Sequence, residues 1–121
     1  MTTLLTVVVP LRLVSEANAH EHWRKRHKRA LEQHNAVAWA LATTRAATPQ
    51  PPLTVTITRI APGRLDSDNA VGSAKFCRDA VAGWLGVNDR RDDLVVYVVR
   101  QEKGKPREYA VRIEIARRGS E

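Results

Sequence analysis

The chain has a single cysteine, Cys77, which excludes a disulfide framework and suits a reducing cytoplasm. No apolar run approaches the roughly 20 residues that cross a bilayer. The apolar LLTVVVPLRLV near the N-terminus has no basic region before it, so it reads as a strand and not as a secretion signal. Repeats and low-complexity tracts are absent. The 121 residues are therefore expected to form one domain, 1–121, long enough to bury roughly 65% of the unfolded surface.

Aspartate is missing from most of the chain. All six aspartates lie between residues 66 and 93, whereas the seven glutamates are scattered elsewhere. Solubility does not require that segregation; a metal site would. Acids are scarce in the first half: residues 1–64 carry 9 Lys and Arg against 3 Asp and Glu, and residues 65–121 carry 11 against 10, for a formal charge of +7. A surface so cationic usually meets nucleic acid or an anionic membrane, the plain alternative being a solvated face.

The pattern predicts the order β-α-β-α-β-β. A strand is expected over about Leu4–Leu13, with Pro10 placing it at an edge or a bulge. A helix follows over about 17–43, capped by Ser15 or Asn18, with Trp23, His27, Ala30, Leu31, His34, Val37, Ala38 and Leu41 on one apolar stripe. LTVTITRI, residues 53–60, alternates as a half-buried strand. A second helix over 69–85 turns Ala70, Ala74, Cys77, Val81, Trp84 and Leu85 to the core and stops at Gly86. LVVYVVR and REYAVRIEI are strands joined by QEKGKP, expected as a hairpin. The class is α/β (α+β): one mixed sheet with two packed helices.

Two aspartates, Asp66 and Asp68, open the second helix in GRLDSDNAVGSAK. Asp68 alone would be an N-cap, which leaves Asp66 unexplained. A D-x-D pair at a helix entry can direct both carboxylates to one cation, and magnesium takes one or two carboxylates plus water and phosphate oxygens. On a continuous helix Asp68, Gly72, Lys75 and Asp79 fall on one stripe opposite the apolar face, and Gly72 leaves room for a phosphate. The plainer reading of Lys75 and Asp79 is an i,i+4 ion pair. Asp89, Asp92 and Asp93 follow the helix in GVNDRRDD, either as a polar turn or as a source of a third carboxylate.

Four histidines between residues 20 and 34 suggest zinc, but His20, His27 and His34 stand about 10 Å apart along a helix, and no HExxH is present. Zinc is rejected. The run RKRHKR supplies Arg24, Lys25, Arg26, Lys28 and Arg29 as point charges for duplex phosphates. Its only aromatic neighbour, Trp23, is assigned to the core stripe, which leaves base stacking without support. Cys77 is read as packing.

The series RLDSDN, KFCRDAV, LGVND and YAVRIEI, with PLRLVSEANAHEHWRKRHKR before it, resembles the RusA-type Holliday-junction resolvases over nearly the whole chain. The resemblance implies a homodimeric, Mg2+-dependent endodeoxyribonuclease that cuts four-way DNA junctions in recombination and repair. Asp66 and Asp68 match the family's motif aspartates, Asp89 its downstream acid and Lys75 its catalytic lysine. In the shorter family form that lysine follows the second aspartate by four residues; here the separation is seven. Asn88-Asp89 stands where many members carry Asp-Asp.

The implied chemistry places Mg2+ on Asp66, Asp68 and Asp89, with Lys75 stabilising transition-state charge or positioning the attacking water. Asp89 is preferred to Asp92 as third ligand because Arg90 and Arg91 can neutralise Asp92 and Asp93. Organic cofactors and membrane partners are not expected, and the compartment is the cytoplasm of a bacterium or the host of a phage. The rival class is a non-catalytic DNA-binding module with the same fold. A small toxin-type ribonuclease is weaker, because such a site needs no aspartate cluster.

Overall fold

The computed structural model describes residues 3–16, 22–88 and 90–118. Among these residues, four strands and three helices follow in the order β1 (Thr3–Val9), α1 (Trp23–Ala42), β2 (Leu53–Ala61), α2 (Ser67–Ser73), α3 (Lys75–Leu85), β3 (Val95–Lys103) and β4 (Ala110–Arg117). They make a small α+β domain built on one mixed sheet. No helix among the described residues is long and apolar enough to cross a membrane.

The sheet order is β1-β4-β2-β3. β4 runs antiparallel to both β1 and β2, whereas β2 and β3 are parallel. The expected hairpin between the last two strands is therefore absent: β3 and β4 lie on opposite sides of β2. Parallel pairing follows from the helical crossover through α2 and α3, which returns the chain in the direction of β2. β2 then has an open edge, and β4 takes it. The connection crosses the end of β2, where Gly104 N donates to the Ala61 carbonyl at 2.9 Å. A Cβ on Gly104 would meet the Glu108 carbonyl at 3.0 Å and Ile60 Cγ2 at 3.2 Å, so this crossing has little room for a side chain.

β1 ends one residue before Pro10 and lies at the sheet edge, where a proline lacking an N–H is tolerated. It is shorter than the expected run to Leu13, which is buried beyond the strand. Along β2, Leu53, Val55 and Ile57 are fully buried. Ile57 faces Ile113, and Ile113 faces Val7 across the ladder. With Val37, Leu41, Cys77 and Val81 from the helices they form the core. The opposite phase (Thr6, Val8, Thr54, Thr56, Val96, Val98, Arg112 and Glu114) stays at least partly open, with Val8 59% exposed.

α1 starts at Trp23, not near residue 17. Its N-cap is His22, whose Nδ1 accepts from Arg24 N at 3.2 Å; Ser15 does not cap it, and Asn18 lies outside the described residues. Residues 22–28 are all exposed, so its first turns overhang the core. The buried stripe is Gln33, Val37 and Leu41, with Ala36 and Ala40 packed beside it. Trp23 (65% exposed), His27, Leu31 and His34 do not belong to it, contrary to the stripe expected from periodicity. The small alanine side lets α3 approach, and that contact chooses the face.

The single helix expected over 69–85 is two helices. Ala74, at φ −91° and ψ 0°, ends α2 and precedes α3. The break follows Gly72-Ser73, a pair that commonly kinks helices, and the buried Ser73 Oγ donates to the Ala70 carbonyl at 2.7 Å. α3 stops at Gly86 as expected. Gly86 takes φ 71°, and a Schellman closure forms from Gly86 N to Gly83 O and Val87 N to Ala82 O.

Candidate active site

Residues 62–66 carry the chain from the end of β2 to α2, and two side chains hold them. Gln101 on β3 accepts from Leu65 N at 2.9 Å through Oε1 and donates to the Leu65 carbonyl at 2.8 Å through Nε2. Its ladder partner on β2 is Arg59. Arg59 is 8% exposed and donates to the carbonyls of Leu13 at 3.1 Å and Gly63 at 2.7 Å, and to Gln101 Oε1 at 3.4 Å. A buried guanidinium is tolerated because its donors are used. Burial, then the charge of Arg12, pulls Arg59 below its ordinary value, and Tyr109 acts in the opposite sense. Arg12 in turn lies over the Tyr109 ring, 4.5 Å from its centre.

This bracing sets the residue that follows. Asp66 stands at the N-cap position of α2 with extended backbone (φ −58°, ψ 152°), and its carbonyl accepts from Ala70 N at 2.8 Å. Its carboxylate makes no capping bond. The cap position therefore belongs to Asp66 and not to Asp68, which lies exposed in the first turn. The consequence is two exposed carboxylates at the start of one short helix, neither with a side-chain partner among the described residues. Beside them a groove between α2 and β3 is lined by Arg64, Ser67, Val71, Arg100 and Gln101. Arg64 and Arg100 make this groove cationic, and neither Asp66 nor Asp68 lines it.

The other site candidates disperse. Lys75, exposed at the start of α3, lines a cleft with Trp23, Arg26, His27, Ala30 and Phe76, and neither Asp66 nor Asp68 lines it. The break at Ala74 interrupts the continuous stripe expected to carry Asp68, Gly72, Lys75 and Asp79 on one helix. Asp79 borders a separate depression with Gly83, Gly86 and Asn88. Asp89 lies outside the described residues. Among those described, no group of three His, Cys, Asp or Glu is placed to hold a metal ion.

Asp93 is engaged. Arg91 donates to both its oxygens, each bond at 2.9 Å, and Arg118 donates to the main-chain carbonyls of Asp92 and Asp93. The hydrogen bond from Arg91, and then its charge, holds the Asp93 carboxyl below the usual range. The neutralisation expected from Arg91 thus falls on Asp93. The Asp92 side chain is exposed.

On α1, Arg24, Lys25, Arg26 and Lys28 are exposed. Lys28 stands 3.8 Å from Glu32, and Arg26 Nε stands 3.6 Å from Glu16. Arg29 differs: it donates to both oxygens of Glu16, at 2.9 and 2.7 Å, with side chains 18% and 7% exposed. That pair ties α1 to the segment after β1. Composition alone did not reveal the roles of Arg59 and Gln101, yet one signal was present. Arg59 continues the core phase of Leu53, Val55 and Ile57, where a charge must be matched from within.

Comparison with protein-family models finds no match to this chain, and comparison with curated proteins finds no similar sequence.

Proposed function

We propose that the chain is a Mg2+-dependent, structure-selective endodeoxyribonuclease of the RusA type that resolves four-way DNA junctions in the cytoplasm by paired phosphodiester hydrolysis. The observation that carries this reading is the pair Asp66 and Asp68, exposed and without side-chain partners among the described residues, at the start of α2, where Gln101 and Arg59 hydrogen-bond the connection that precedes them. Burying a guanidinium to fix a surface turn serves a site that must keep its geometry.

Two partner-free carboxylates fit a hard divalent cation, and Asp89 is the proposed third ligand, with Asp92 as the alternative. Bound magnesium supplies charge neutralisation on phosphoryl oxygens and acidifies water. The chain's own residues do the rest. Arg64 and Arg100 attract the phosphate to the groove beside the acids, and Lys75 contributes positive charge from the start of α3. Arg24, Lys25, Arg26 and Lys28 clamp the arms of the substrate through phosphates, without reading sequence. Arg29 supports that helix through Glu16.

Paired incision requires two sites, and twofold symmetry matches the substrate. The second copy is proposed to pack on the sheet face that the helices leave open. There Arg112 donates to Glu102 at 2.7 Å and to Glu114 at 3.4 Å, and with Arg100 the charges of this face balance. In a chain of +7, a neutral face rich in threonine and valine is where like copies repel least.

The alternative reading is a DNA-binding module without catalysis. It is favoured by the placement of Lys75 against α1 and not among the aspartates. One assay separates the two: a synthetic four-way junction, a linear duplex and an RNA, each with magnesium, calcium or a chelator. Magnesium-dependent cutting of the junction alone supports the nuclease. Tight junction binding with no cutting supports the module.

A further inference from the structure

We propose that Trp23, Arg26, His27 and Lys75 form a stacking site for a single unpaired DNA base and its phosphate. The proposal rests on the DNA-binding reading above and adds to it a contact with a nucleobase.

The cleft lies between the first turns of α1 and α3, about 330 Å3 in volume, with Ala30 and Phe76 completing its lining. Among the described residues no carboxylate lines it. Arg26, His27 and Lys75 line this recess together with the Trp23 indole. Trp23 is 65% exposed; Trp39, at 73%, is also exposed, but only Trp23 lines a cleft with cationic side chains. Its neighbours are cationic or aromatic: the Arg24 guanidinium lies 5.5 Å from the ring centre, and the His22 ring lies 5.5 Å away at 34°. Glu16 restrains Arg26 from outside the cleft, 3.6 Å from Nε.

Indole and cations together define the ligand. An aromatic face stacks on any base, and flanking cations take the phosphate that accompanies it. A duplex buries its base faces in its own stack and offers this site only phosphates. An anionic membrane also attracts tryptophan and lysine, but insertion needs a broad apolar face. Here residues 24–28, immediately after the ring, are all charged or histidine and all exposed, and the other large exposed apolar side chains of α1, Leu31 and Trp39, stand about two and four turns further along. The recess therefore suits one extruded nucleotide of an opened duplex, the kind a branch point supplies.

The test measures binding in calcium buffer, without cleavage, to an oligothymidylate, a linear duplex and a four-way junction. Trp23→Ala is expected to bind the oligothymidylate about 5- to 100-fold more weakly. The same variant should bind linear duplex within about twofold of wild type, because phosphate contacts set that affinity. Trp23→Phe should restore most of the loss, and Trp39→Ala, which removes an exposed indole elsewhere on α1, should change nothing. Equal affinity of Trp23→Ala and wild type for the oligothymidylate would overturn the stacking site while leaving the DNA reading intact. An equal loss on duplex would also overturn it. Wild-type protein that binds none of the three would overturn the DNA reading itself. Trp23-dependent binding to anionic phosphatidylserine vesicles with no effect on DNA would replace the base by a membrane.

Discussion

Gln101 grips the peptide of Leu65 from both sides, accepting from its N–H at 2.9 Å and donating to its carbonyl at 2.8 Å. One β3 side chain thereby sets the backbone immediately before Asp66. Removing it leaves both peptide groups unpartnered in a partly buried place. Gln101→Ala is expected to cost about 1–3 kcal/mol in urea unfolding. Cleavage is expected to fall by about 100-fold through misplacement of Asp66, with junction affinity little changed. Cleavage at the wild-type rate would separate the loop from the chemistry.

Arg29 and Arg24 are expected to behave oppositely although both stand in RKRHKR. Arg29→Ala leaves the Glu16 carboxylate buried without its bidentate partner and is expected to destabilise the protein by about 2–4 kcal/mol. Arg24→Ala and Lys25→Ala should change stability by less than about 0.5 kcal/mol. Each should lower the log–log salt slope of DNA binding by about 1. Denaturation curves and salt titrations on the same three variants check this. A slope unchanged by Arg24→Ala and Lys25→Ala would remove α1 from the interface.

Cys77 makes a prediction in alkaline solution. Burial pushes its thiol from 9.0 up to about 12, so the native state keeps the proton that the unfolded chain loses. A raised folded value contributes stability that is complete below about pH 9 and is lost as pH rises toward 12. Between pH 8 and pH 10 the wild type should lose about 1.4 kcal/mol more than Cys77→Ala, other titrations being common to both. Parallel pH profiles would show that the thiol is not buried.

The acids after α3 divide by their partners. Asp93→Asn should retain cleavage, because Arg91 already holds that carboxylate. Asp89→Asn should lose it, and Asp92→Asn should keep most of it. If Asp92→Asn is inactive and Asp89→Asn is not, the third ligand lies further along the turn.

What could be read beforehand follows physical locality. The stop at Gly86 and the edge position of β1 rest on short-range signals in glycine and proline, and the structure has both; the element order holds except that the second helix is broken in two at Ala74. Partner choice in the sheet is not local. QEKGKP reads as a hairpin loop, yet the open edge of β2 captures β4, and only the crowding of Gly104 against Ile60 and Glu108 records the crossing. Periodicity gives a helix an apolar side only where the helix touches something. Trp23 and His27 overhang the core, so the repeat that placed them inside had nothing to pack them against. Likewise D-x-D was visible, but the Arg59–Gln101 brace joins residues 42 apart and leaves one trace, an arginine in the core phase of a strand.

The central claim is that Asp66 and Asp68 hold the metal that cuts a DNA junction. The most direct measurement is magnesium-dependent cleavage of a synthetic four-way junction by wild type, Asp66→Asn and Asp68→Asn, with binding followed in parallel. Wild type should make paired cuts with magnesium and none with chelator. Both variants should bind the junction as tightly as wild type or more tightly, since a lost carboxylate repels phosphate less, and neither should cut. Cleavage by either variant at the wild-type rate, or cutting that persists in chelator, would contradict the account.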